Sequence, residues 1–145
     1  MKLNVKIFKD LTLEQLYKIL KLRYDIFVVE QKSIYNEFDE KDYDAVHIFL
    51  QEKKDVIAYM RIYKKSKKIA SIGRVVVDLK FRKKGLGRKV VKEGIDYIKS
   101  KWKVDKIEIS AQEYLKKFYE SFGFKQVSDV YDDCGVAHID MVLDI

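Results

Sequence analysis

A chain of 145 residues suits one compact domain around one core, and 48% apolar residues is ordinary for a globular protein, so neither a disulfide nor a structural metal is needed to hold it. The net charge of +7 comes mainly from lysine and points to an anionic cofactor, a nucleic acid, an anionic membrane surface, or nothing beyond a lysine-rich composition. The single cysteine, Cys134, excludes an internal disulfide, no apolar run approaches the ~20 residues that span a bilayer, and Lys2 to Lys9 lacks the charged-then-apolar pattern of a signal peptide, so a cytoplasmic location is expected.

In chain order, Leu3 to Lys9 alternates apolar and polar residues, the period of a half-buried strand. Thr12 with Gln15 three residues on reads as a capping box, and Leu13, Leu16, Tyr17, Leu20, Tyr24 and Phe27 follow at helical spacing, which predicts a helix to about Val28. Gln31 to Asp44 is polar and acidic and reads as a loop with one short helix. Val46 to Gln51 and Val56 to Tyr63 form a hairpin about Asp55. Lys64 to Lys68 is a basic turn, and Ile69 to Leu79 is the longest strand. From Gly85 the pattern is helical, with Leu86, Val90, Val91, Gly94, Ile95 and Ile98 on one face. Val104 to Ser110 reads as a strand and Glu113 to Phe122 as a short helix. Phe124 to Val130 and Ala137 to Leu143 read as closing strands around the turn Asp132 to Gly135. Three neighbouring strands with no helix between them favour an α/β (α+β) fold with a mixed, mostly antiparallel sheet flanked by helices, over residues 1–145 as one domain.

The strongest local signal follows the apolar strand Val75-Val76-Val77. Arg82, Lys83, Lys84, Gly85, Leu86, Gly87 and Arg88 make a basic, glycine-bearing loop that opens a helix. Free amides at a helix N-terminus bind phosphate oxygens, and the helix dipole adds to this. The stretch is no P-loop, which needs GxxxxGK and Ser or Thr, and no dinucleotide fingerprint, because Val90 stands at the third glycine position. Taken alone, it reads equally as a basic turn capping a surface helix.

Arg82-x-x-Gly85-x-Gly87 after a hydrophobic strand resembles the pyrophosphate motif of the GNAT N-acetyltransferase superfamily. Ala111-Gln112 followed by Phe118-Tyr119-Glu120-Ser121-Phe122-Gly123-Phe124 resembles its AQ…FYExxGF segment. Leu22 to Gln31 is similar to the LRxxVFVVEQ start of ElaA-like members, and Tyr35, Glu37, Asp39, Asp42 and His47 continue that pattern. Gly135-Val136-Ala137-His138-Ile139-Asp140-Met141 resembles their GIPHxxM, with Ala137 in place of proline and Cys134 where an acidic residue is common.

The resemblance implies the GNAT fold and direct transfer of an acetyl group from acetyl-CoA to an amine of a small molecule or a lysine side chain. It assigns Tyr119 as the proton donor to the leaving thiolate, although periodicity alone reads it as a core aromatic. Backbone groups of Val75, Val76 and Val77 are expected to hold the pantetheine arm, and the loop Arg82 to Arg88 the pyrophosphate. Gln112 is expected to bond the arm, or to cap a strand end. Candidates for the general base are His138, Glu37 and Asp39, and the acidic run from Gln31 to Asp44 is also a candidate attractor for a cationic amine. Arg23 and Arg74 fit function and internal ion pairing equally. Cys134 is not required as a nucleophile.

A non-catalytic acyl-CoA sensor module is the alternative, since it would keep the loop and dispense with Tyr119. Nucleic acid is disfavoured because the lysines form no stripe with interleaved aromatics. No membrane partner is expected. Exposed edges of a mixed sheet are compatible with a monomer or a homodimer.

Overall fold

The computed structural model describes all residues, Met1 to Ile145. Eight strands form one sheet: β1 (Lys2–Ile7), β2 (Val46–Glu52), β3 (Asp55–Lys64), β4 (Ile69–Val77), β5 (Lys106–Gln112), β6 (Lys125–Gln126), β7 (Tyr131–Asp133) and β8 (Val136–Asp144). Their spatial order is β1-β2-β3-β4-β5-β8-β6, with β7 also paired to β8. Only β4 and β5 run parallel, so the sheet is mixed and mostly antiparallel, as the run of consecutive strands predicts. No helix is long and apolar enough to cross a membrane.

The helices are α1 (Leu13–Arg23), α2 (Leu86–Lys101) and α3 (Lys116–Glu120). At the start of α1 the capping box forms as expected: Gln15 N donates to Thr12 Oγ1 at 3.0 Å, and Thr12 N donates to Gln15 Oε1 at 3.1 Å. The helix does not run to Val28 in α form. From Tyr24 to Glu30 it widens into a π-helical turn, closed by Gln31 N donating to Ile26 O at 3.1 Å. The closing strands differ too. Phe124 to Val130 pairs only at Lys125 and Gln126, because Phe124 turns into the core and Ser128 Oγ takes the amide of Asp140 at 2.9 Å. The hairpin partner of β8 is instead β7, across the turn at Cys134 and Gly135.

Strand periodicity sorts the two faces of the sheet. Ile48 and Leu50 on β2, and Ala58, Met60 and Ile62 on β3, pack with Val90, Val91 and Ile98 of α2 into the larger core. Phe49, Tyr59 and Val76 face the other way and meet Ile19, Leu22 and Ile26 of α1 and its π-helical extension. Gly94 of α2 is required by close approach, since a Cβ there would lie 2.4 Å from Met60 Cε and 3.2 Å from Ile62 Cγ2.

The α1 face also carries buried charge. Arg23 and Arg61 are at most 2% exposed. Arg23 holds Asp42 with two hydrogen bonds, at 2.9 and 3.2 Å, and its Nε donates to Glu37. Arg61 holds Asp39 at 2.9 and 2.5 Å and reaches Asp42 at 2.9 Å. Arg74 Nε lies 3.0 Å from Glu37 Oε2, out of line for a hydrogen bond, and its Nη2 lies 3.5 Å from Asp39 Oδ2, so both contacts are ion pairs. Three arginines and three carboxylates therefore balance. His47 completes the floor: Nε2–H donates to Asp42 O at 2.9 Å, which leaves Nδ1 to accept from the Tyr59 hydroxyl at 2.7 Å. Burial holds this imidazole below its usual pKa and neutral.

The cluster shapes β4. Arg74 has φ 55, the left-handed region that a residue with a Cβ avoids. Here the β3–β4 register slips: Arg61 faces Gly73, yet Tyr59 faces Val76, so β4 carries an extra residue at Arg74 and Val75. The bulge lies in the part of β4 that no longer pairs with β5. The two pair only at Ile69 with Lys106 and Ala70 with Ile107, and then separate.

Two predictions follow from the cluster. Glu37→Gln leaves Arg23 and Arg74 short of a counter-charge and is expected to destabilise the fold by about 3 kcal/mol in urea unfolding. For Asp39, burial would raise the pKa, but the bonds and charge of Arg61 win and hold the carboxyl at about 2. That value lies below the unfolded one, so the stabilisation is complete above roughly pH 4 and is lost as pH falls toward 2. Thermal melts from pH 7 to pH 2 should show Asp39→Asn less stable at neutral pH and less sensitive to acid across that window.

Candidate active site

Where β4 and β5 part, a cleft of ≈ 420 Å³ opens. Gly73 to Val77 line one side. Ser110 to Gln112 of β5, Val136 and His138 of β8, and Leu115, Phe118 and Tyr119 around α3 line another, while Ile26, Phe27, Glu30, Gln31, Ser33 and Tyr35 cover it.

The strand edge facing the cleft follows from alternation. Asp78 N donates to Ile57 O on β3 at 2.8 Å, so the peptide groups of Val76 also face β3 and those of Val75 and Val77 face the open side. Val76 itself is buried against α1, and its share of the cleft is backbone. Beyond β4 a 3-10 turn, Leu79 to Phe81, capped by Asp78, leads into the basic loop. Gly85 has φ 76, and a Cβ there would meet nothing within 4 Å, so the space before α2 is open. The first bond of α2 is Lys89 N to Gly85 O at 3.1 Å, and no side chain caps the helix. The amides of Leu86, Gly87 and Arg88 are thus free for an anion. Free amides, an open approach and a strand edge without a partner strand together fit a long ligand with an amide-bearing arm and a phosphate end.

The basic residues of the loop divide. Arg82 lines the cleft, donating through Nε to Val77 O at 3.2 Å and through Nη2 to Glu30 Oε1 at 2.9 Å. Lys83 is exposed with φ 64, and Lys84 lies over the Phe81 ring. Arg88 turns away, stacked over Phe122 at 4.8 Å and bonded to Ser121 Oγ at 2.9 Å. Leu86 is a core side chain, so only its amide is available to a ligand.

Tyr119 is 6% exposed, sits edge-on to Phe118 and Phe124, and lines the cleft. Burial pushes its phenol above the ordinary value of about 10. His138 pairs with Gln112 across β5 and β8 and stacks on Tyr131 at 6.1 Å. Its Nδ1 lies 2.8 Å from Val136 O. A carbonyl only accepts, so Nδ1 carries the proton and the Nε2 lone pair is left open.

Glu37 is not brought to the cleft. Its carboxylate is turned inward to Arg23, Arg74 and the Tyr35 hydroxyl, it is 6% exposed, and it does not line the cleft. Asp39 is engaged in the same way by Arg61. Glu37, Asp39 and Asp42 of the acidic run thus face Arg23, Arg61 and Arg74 in ion pairs, and Arg74 also lines the cleft. Cys134 stands exposed at the rim, its carbonyl accepting from Ser33 Oγ at 2.8 Å. Sequence reasoning missed Ser33, Ser110, Tyr114 and the amide pair Gln31–Gln112, whose members lie 81 positions apart and leave no periodic trace.

The profile of the acetyltransferase (GNAT) domain matches residues 9–145. A UPF0039 protein of Schizosaccharomyces pombe is 39% identical over 142 residues, covering 97% of this chain and 95% of its own. The ElaA protein of Escherichia coli is 34% identical over 140 residues, covering 94% and 92%. Its crystal structure superposes with a TM-score of 0.91 over 97% of both chains. An acyl-CoA N-acyltransferase of Pseudomonas aeruginosa superposes with a TM-score of 0.91 at 33% identity, over 98% of this chain and 99% of that one. With a splayed β4 and β5 over an open helix N-terminus, and with relatives that share nearly its full length, the chain belongs to the GNAT acetyltransferase family, as an acyltransferase of the ElaA-like kind.

Proposed function

We propose that this protein moves an acetyl group from acetyl-CoA directly to a primary amine of a small molecule or of a lysine side chain, without an acyl-enzyme. The observation that carries this reading is the pair of unbonded donor groups on either side of the 3-10 turn, the edge of β4 at Val75 and Val77 and the uncapped start of α2. Acetyl-CoA, when bound, supplies the activated thioester.

The peptide groups of Val75 and Val77 receive the pantetheine arm as an added strand. The amide of Val77 serves as a donor for negative charge on the thioester oxygen, strengthened by the apolar lining of Ile26, Phe27 and Ile72. The amides of Leu86, Gly87 and Arg88, with the Arg82 guanidinium, take the pyrophosphate. Lys83 and Lys84 add positive potential around it. Gln112 offers its amide to the arm.

Tyr119 is the acid. Its raised pKa keeps the proton in place until the sulfur leaves, and the thiolate then accepts it. His138 is the base: the Nε2 lone pair takes a proton from the amine, directly or through water, while the Val136 carbonyl fixes the tautomer and steadies the imidazolium. Glu37 is not given this role, because two arginines already hold its carboxylate.

Thiol release from acetyl-CoA, measured against a panel of small amines and lysine peptides, tests the reading. Turnover with at least one amine is expected, and Tyr119→Phe should lower kcat about 100-fold while acetyl-CoA affinity stays within about twofold. Saturable acetyl-CoA binding with no thiol release from any amine would instead indicate a sensor module. In calorimetry the double variant Arg82→Ala, Gly85→Val should show no saturable acetyl-CoA binding. Wild-type affinity in that variant would remove the loop from the cofactor site.

A further inference from the structure

Two side chains assigned to the cofactor already have partners, and both partners sit at the end of the π-helical turn. Arg82 Nη2 donates to Glu30 Oε1 at 2.9 Å. One residue on, Gln31 and Gln112 exchange amide hydrogen bonds at 3.2 and 3.1 Å. All four side chains line the cleft. Its lining holds two carboxylates, Glu30 and Asp133, and only Glu30 is paired with a cation.

We propose that Glu30 is an affinity-determining residue for acyl-CoA, an internal counter-ion that holds Arg82 in the free protein and is exchanged for the pyrophosphate on binding. The inference rests on the reading that Arg82 and the α2 amides take the pyrophosphate. A carboxylate and a diphosphate at one guanidinium edge repel each other, so Glu30 must leave as the ligand arrives. Arg82 keeps its Nε bond to Val77 O at 3.2 Å, so only its Nη groups change partner and the guanidinium is orientated in both states. The exchange therefore retains the preorganisation of Arg82 while the Glu30 charge subtracts from affinity.

The test is calorimetric titration of CoA, and separately of pantetheine, into the full chain as wild type and as Glu30→Gln. Glu30 is an exposed side chain, so the substitution leaves the core untouched. The variant is expected to bind CoA about fivefold tighter, with pantetheine affinity within about twofold of wild type because pantetheine has no pyrophosphate. Unchanged or weaker CoA binding by Glu30→Gln, with wild type still binding, would overturn the proposal and leave the cofactor reading standing. Equal tightening for both ligands would also overturn it, by tracing the effect to a looser cleft. Failure of wild type to bind CoA would instead overturn the cofactor reading beneath it.

Discussion

The ion cluster of Arg23, Arg61 and Arg74 with Glu37, Asp39 and Asp42 is the constraint on which the cleft depends. A non-glycine residue at φ 55 costs roughly 1 kcal/mol or more, and a bulge interrupts a ladder that would otherwise continue. Arg74 accepts that backbone because its guanidinium is fixed from below by Glu37 and Asp39 and stacks over the Tyr35 ring at 5.1 Å. Buried ion pairs contribute little net stability against an apolar replacement of equal volume. The cluster is therefore best understood as a positioning device: it fixes the bulged backbone of β4 at Arg74, where the strand lines the cleft.

Each functional group then arrives on a different element for a different physical reason. The glycine at the start of α2 leaves its amides uncapped. Tyr119 is carried by a short helix whose aromatic neighbours bury the ring and raise its pKa. His138 sits on a strand whose own Val136 carbonyl sets the tautomer. The π-helical turn brings Ile26 and Phe27 over the cleft, and its last residue, Glu30, meets the loop below. The wider turn presents side chains at a spacing that an α-helix would not.

Signals confined to a few neighbouring residues were legible in the sequence. The Thr12–Gln15 box, the glycine loop before α2 and the run of strands with no helix between them all appear in the structure as read. Features set by distant partners were not. The π-helical turn has the same apolar spacing as an α-helix over so short a stretch, and the bulge at Arg74 sits in an ordinary β-branched run. Phe124 to Val130 has strand composition, but core packing of Phe124 and the Ser128 bond to Asp140 claim it first. Glu37 matched a family pattern as a candidate base, yet its surroundings come from Arg23, fourteen positions earlier, and Arg74 on another strand. A carboxylate's role depends on what faces it, and that is a tertiary fact.

The most direct test of this account is a crystal structure of the protein with acetyl-CoA bound. The account predicts the pantetheine arm along the Val75–Val77 edge between β4 and β5, the pyrophosphate on the amides of Leu86 to Arg88, and the sulfur beside the Tyr119 hydroxyl. Acetyl-CoA bound anywhere else, or lying in this cleft with Tyr119 remote from its sulfur, would contradict it.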